Sequence, residues 1–185
     1  MEFKEEEKYL MFSLDEEHYG IPILKVNEII GLMEITAIPR APEFMKGIIN
    51  LRGKIIPILD LRLKFQMPER TYDEQTCIII VEILINEHKN FIGVVVDKVA
   101  EVVNIYGKDI ELPPRYGQES EDDFLIGVGK VKDKVVMLLD IETIVNCHEL
   151  VSLIKAHAEV IPASVAEQTK MPETIAEPEL DFNLA

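Results

Sequence analysis

Four histidines, two cysteines and a surplus of carboxylates are the side chains here with reactive potential. A zinc-binding helix needs two histidines four residues apart, and His18, His88, His148 and His157 supply no such pair. Cys77 and Cys147 lack metal or redox spacing; Cys77 opens an apolar run and reads as a small core residue, so no disulfide framework is expected. Gly127-Val-Gly-Lys130 resembles a phosphate loop only superficially, because the later glycine and the Lys-Ser/Thr ending are missing. Asp60 and Asp140 stand at matching strand ends, which points to a shared capping or turn role rather than an acid–base pair. Arg52, in the turn Asn50-Leu51-Arg52-Gly53, carries a planar fork of five donors suited to carboxylates or carbonyls. In an arbitrary hairpin such an arginine is only a solvated turn residue. The reading is a binding surface, with no catalytic group, metal or cofactor.

These residues sit on a duplicated scaffold. Residues 47–61 recur in degenerate form at 127–141 with a constant offset of 80 across 15 positions, and Lys54/Lys134 and Asp60/Asp140 coincide. Strand, tight polar turn and strand explain the pattern, so one hairpin occurs twice. Upstream the offset is 73: Gly20 matches Gly93, Val26 matches Val99 and Glu28 matches Glu101. The change marks a net insertion of seven residues, placed in the polar loop 116–123. Tyr9–Leu14, Tyr19–Leu24, Val26–Ile30, Cys77–Leu84 and Phe91–Val96 read as further strands, with Pro22 at an edge or bulge. About five short strands per half predict an all-β fold of two small antiparallel barrels or strongly curled sheets. Packed side by side, they leave a groove where a partner could bind.

Ile141, Ile144, Val145, His148, Val151 and Ile154 fall near helical spacing, predicting an amphipathic helix over 141–156 that packs on the barrels. Beyond it, Pro162, Pro172 and Pro178 and six acidic residues against Lys170 predict a disordered acidic tail over 157–185. Phe182 and Leu184 are its candidate docking side chains, although a solvated tail is the simpler reading. The whole chain carries a formal charge of −15, from 19 basic and 34 acidic residues, which disfavours nucleic acid and anionic lipid. With no apolar span or leader-like N-terminus, a cytoplasmic protein is expected.

Three blocks together resemble the CheW family of chemotaxis coupling proteins: Tyr9-Leu-Met-Phe-Ser-Leu14, Tyr19-Gly-Ile-Pro-Ile-Leu-Lys-Val-Asn-Glu-Ile29 and Phe44-Met-Lys-Gly-Ile-Ile-Asn-Leu-Arg-Gly53. Ile55-Ile-Pro-Ile-Leu-Asp-Leu-Arg62 and Phe91-Ile-Gly-Val-Val-Val-Asp-Lys-Val99 extend the match, which covers about Tyr9 to Lys155. The resemblance implies two five-stranded, SH3-like antiparallel β-barrels, the first over about 9–66 and the second over about 76–140. Strand exchange at their junction is left open. It further implies a non-catalytic adaptor bridging the cytoplasmic tips of methyl-accepting chemoreceptors to the CheW-like regulatory domain of the histidine kinase CheA. Such an adaptor is recruited beneath the inner membrane in receptor arrays without inserting into it. Carried over by motif, the receptor-binding positions are Val26, Glu28, Gly47 and Arg52. A kinase or ring contact falls at Tyr116, in Pro113-Pro-Arg-Tyr116. For Val26 the competing role is barrel core, and for Gly47 a backbone requirement that its match to Gly127 supports.

Two other readings remain at this point. One is a scaffold for a chemosensory system with a non-flagellar output. The other is a small enzyme or ligand-binding barrel using the groove, which requires converging, perturbed carboxylates.

Overall fold

Alternation within single strands sets the architecture. In β1 (Glu6–Leu14), Tyr9 and Met11 enter one apolar cluster while Leu10, Phe12 and Leu14 enter another. β6 (Cys77–Ile85) behaves likewise, sending Ile78 and Ile80 one way and Ile79, Val81 and Ile83 the other. A strand buried on both faces needs a continuous apolar run, which explains Ile78-Ile-Ile-Val81.

The computed structural model describes residues 5–85, 87–113 and 124–145. Its remaining strands are β2 (Glu17–Pro22), β3 (Val26–Gly31), β4 (Met45–Leu51), β5 (Lys54–Asp60), β7 (His88–Val96), β8 (Lys98–Tyr106), β9 (Ile110–Glu111), β10 (Leu125–Val131) and β11 (Lys134–Leu139). Two short helices, α1 (Leu61–Lys64) and α2 (Ile141–Val145), follow β5 and β11. The all-β reading holds, and the strands form two sheets.

The first-lobe sheet takes one unbroken run of chain, β3 to β7, which interrupts the second-lobe sheet between β2 and β8. The first-lobe sheet has the order β3-β6-β7-β5-β4; the second-lobe sheet has β8-β1-β2-β11-β10-β9. The N-terminal hairpin therefore joins strands of the second half, while β6 and β7 join those of the first. This pairing corrects the contiguous spans 9–66 and 76–140: the strands are exchanged at the junction. The sixth strand of the second sheet is the two-residue β9. Each sheet also contains one parallel pair, β2–β11 and β5–β7, where purely antiparallel order was expected. Parallel neighbours need a long crossover: the first lobe lies between β2 and β11, and α1, a loop and β6 lie between β5 and β7. Pro22 is not on an edge strand, because β2 lies between β1 and β11; it is the last residue of β2, opposite Tyr9.

Both sheets curl back on themselves. The chain leaving β3 bridges β4 through Thr36 and Ile48, with mutual N–H···O bonds of 2.9 Å. In the second lobe β9, following β8, pairs with β10. Ile49, Ile56, Ile58, Ile78, Ile80 and Val95 fill the first lobe; Tyr9, Met11, Ile105, Val136 and Leu138 fill the second. The largest cluster lies between them and draws on both sheets, including Phe12, Tyr19, Leu59, Ile79 and Val94, with Ile141, Ile144 and Val145 of α2 packed in. A run of ring contacts, Phe12–Tyr19, Tyr19–Phe65 and Phe65–Phe124, extends along it at centroid distances of 5.6, 5.7 and 4.7 Å.

Asp60 and Asp140 share the expected capping role. Asp60 accepts from Leu63 N–H at 3.3 Å, and Asp140 from the N–H groups of Glu142 and Thr143 at 3.0 and 3.4 Å. Only the first turn of the expected helix 141–156 is described. Its remainder, the loop 116–123 and the tail lie outside the described residues. Among those described, no helix is long and apolar enough to cross a membrane.

Candidate functional site

A bulge in β3 sorts two of the candidate residues onto opposite faces. Val26 pairs with Val81 but Glu28 with Ile80, so the register slips by one between them. Without that slip the two side chains, two apart, would share a face. With it, Val26 turns toward the inter-lobe core and packs there partly buried. Glu28 is released to the other side.

There Glu28 meets Arg52. The β4–β5 loop has two residues, Arg52 and Gly53, with φ of 52° and 83°, as a type I′ hairpin turn requires. Asn50 Oδ1 accepts from Gly53 N–H at 2.9 Å and holds the turn. The Arg52 guanidinium donates from Nη1 and Nη2 to the two carboxylate oxygens of Glu28, each at 2.8 Å. This fork keeps the Glu28 carboxyl below its usual titration range, chiefly through the hydrogen bonds, and holds the guanidinium charged. Because β3 and β4 are the two edges of the first-lobe sheet, the pair reaches across the seam at which that sheet curls shut.

The arginine side chain is 74% exposed against 24% for the glutamate. An ion pair so open to water contributes little to folding. Its value is directional: the fork presents a pre-oriented guanidinium with unused N–H donors at the surface. Exposed Ile29 and Ile55 lie one residue from Glu28 and three from Arg52. Ile29, opposite Ile79, faces away from Glu28, so it marks the outer face of the strand rather than the fork itself.

Gly47 acts through its backbone. It follows a bulge against β5 and has φ +144°; a Cβ there would sit 2.1 Å from the Thr36 carbonyl oxygen. No side chain fits where the segment after β3 closes onto β4. The four candidates thus divide: Glu28 and Arg52 meet directly, Val26 faces the core, and Gly47 permits closure. Tyr116 lies outside the described residues.

The second lobe repeats the arrangement. Lys132, in a two-residue turn with Asp133 at φ of 47° and 66°, bonds both oxygens of Glu101 at 2.9 and 3.1 Å. Exposed Val102 and Val135 stand where the first lobe has Ile29 and Ile55, at offsets of 73 and 80. The sequence reading matched Glu28 with Glu101 and the two turns with each other, but not the contact between them.

An open recess of ≈ 680 Å³ lies between the β1–β2 turn and the segment after α1, lined by Asp15, Glu16, Glu17, Met67 and Arg70. Arg62 holds the Asp15 carboxyl below its usual range, the opposite of what a general acid needs. Among the described residues, no group of three or more His, Cys, Asp or Glu is placed to hold a metal.

What the geometry offers is a surface for recognition. A family model described as the CheW-like domain matches residues 8–149. The chain belongs to that family. "Chemotaxis protein CheW" of Klebsiella aerogenes is 38% identical over 144 residues, covering 78% of this chain and 84% of the relative. The Treponema pallidum protein of the same name is 30% identical over 149 residues, covering 80% and 88%. Among solved structures, the scaffolding protein TtCheW from Thermoanaerobacter tengcongensis superposes with a TM-score of 0.68 at 40% identity, covering 77% of this chain and 94% of that one. The family match ends shortly after α2, so the acidic segment beyond it is outside the CheW-like region.

Proposed function

We propose that this chain is a non-catalytic chemotaxis scaffold that couples chemoreceptors to the histidine kinase CheA. The observation that carries the reading is the Glu28–Arg52 fork, displayed on an exposed turn of a CheW-like domain. Receptor tips built of helices offer carboxylates and carbonyls, which match the free donors of Arg52. Val26 and Gly47 act in this face indirectly, one by packing the strand that carries Glu28 and the other by closing the lobe. The kinase's regulatory domain docks elsewhere, with Tyr116 among its contacts. The scaffold works in the cytoplasm beneath the inner membrane.

Such a protein alters kinase activity only by binding kinase states with different free energies. The test is a pull-down with a receptor-tip fragment and a CheA regulatory fragment. Simultaneous capture of both supports the bridge; capture of neither leaves a CheW-like domain with some other partner.

A further inference from the structure

The chain passes between its lobes twice: after β2, through the 3₁₀ turn Ile23–Lys25, and after β7, at the single residue Asp97. Both crossings are held by charge. At the second, Asp97 Oδ2 accepts from Arg62 Nη1 at 2.7 Å, Asp15 N–H at 2.8 Å and Arg70 Nη1 at 3.3 Å. Arg62 is completed by Asp15 Oδ2 at 2.9 Å and the Pro68 carbonyl at 3.1 Å, and its side chain is only 6% exposed. At the first, Lys25 Nζ donates to Glu142 Oε1 at 2.5 Å.

Arg62 and Glu142 are the same position of the duplicated hairpin, 80 residues apart, each the second residue of the short helix after its Asp cap. The two copies have kept the latch and inverted its charge. At the opposite crossing each would meet a like charge, Arg62 against Lys25 and Glu142 against Asp97. The apolar core between the lobes supplies most of their attraction and is close-packed. The charged contacts at the crossings are directional.

We propose that Arg62 and Glu142 are positioning residues that fix the angle between the lobes, and so the geometry in which two partners on different faces are held. The inference rests on the scaffold reading for its consequence, though not for its structural content.

Residual dipolar couplings on the full chain, paired with receptor-dependent kinase assays, test it. In the wild type both lobes should fit one alignment tensor. Arg62→Met should give each lobe its own tensor, leave binding of the separate receptor and kinase fragments unchanged, and lower coupled activation by about five-fold or more. Glu142→Lys should do the same, and adding Lys25→Glu should restore both readouts. Should Arg62→Met fail to fold, the Lys25–Glu142 reversal decides, because these side chains are 38% and 33% exposed. A single tensor in the variants, unaltered coupling despite split tensors, or failure of the reversal to rescue overturns the proposal. If neither fragment binds the wild-type chain, the scaffold reading falls while the tensors still decide the latch.

Discussion

Glu101 and Lys132 meet in the second lobe at 2.9 Å, in the place where Glu28 and Arg52 meet in the first. Both pairs link an edge strand to a two-residue turn. They differ in the cation. Lysine is a compact point charge, whereas arginine fixes a plane and keeps donors in reserve. The difference makes the first lobe the better oriented of the two surfaces.

Arg52→Lys should therefore weaken receptor-tip binding while retaining charge, and Arg52→Glu should abolish it. Neither should alter the thermal melt, since the side chain is largely in water. Titration calorimetry against a receptor-tip fragment reads the first effect. Wild-type affinity in Arg52→Glu would remove this turn from the docking face.

Gly47→Ala should destabilise the fold by about 2–4 kcal/mol, combining positive-φ strain with a clash against backbone that cannot rotate away. Urea denaturation gives the value. A loss confined to binding, with an unchanged midpoint, would make Gly47 a contact residue rather than a closure residue.

Asp60 is 2% exposed and accepts from Tyr72 Oη at 2.7 Å as well as capping α1. Tyr72→Phe removes one donor and should cost about 1–2 kcal/mol. Asp60→Ala removes the cap and strands the hydroxyl, so it should cost more, about 2–4 kcal/mol. Equal midpoints for the two variants would contradict this order.

Acid should loosen the second crossing. The Asp15 carboxyl titrates below its usual range because Arg62 donates to it, with Arg70 adding a weaker attraction. A group depressed on folding contributes stability that is complete above its unfolded value and lost as pH falls through the folded one. The loss therefore sets in as pH falls below the usual carboxylate range, about 4, and completes below the depressed folded value. Asp15→Asn should show a shallower decline of urea midpoint across that window; parallel curves would mean Asp15 contributes nothing to it.

Tyr116→Ser should impair association with the CheA regulatory domain without lowering the melting temperature. Normal co-sedimentation with that domain would exclude the ring as a contact.

Much of this was legible in the residues. The offsets of 73 and 80 exposed the duplication, and the Asp60/Asp140 match anticipated their capping bonds. Hairpins were visible because alternation and turns are local signals. Which sheet each hairpin joined was not, because that depends on partners distant in sequence. The run Ile78–Val81 was read only as part of a strand, although its continuous apolar character is what burial on both faces demands. The bulge that turns Val26 inward left no mark, since one slipped residue changes facing without changing composition. Arg62 was quoted only as the end of a motif; its burial against Asp97 depends on the crossing.

Because β1 and β2 complete a sheet whose last members are β10 and β11, the opening hairpin of the chain has no finished seat until nearly the whole domain has left the ribosome. Until then it carries bare strand borders into a crowded cell, where foreign chains can pair with them. Cutting the gene at the duplication boundary would not yield two small proteins; each fragment would lack strands held by the other.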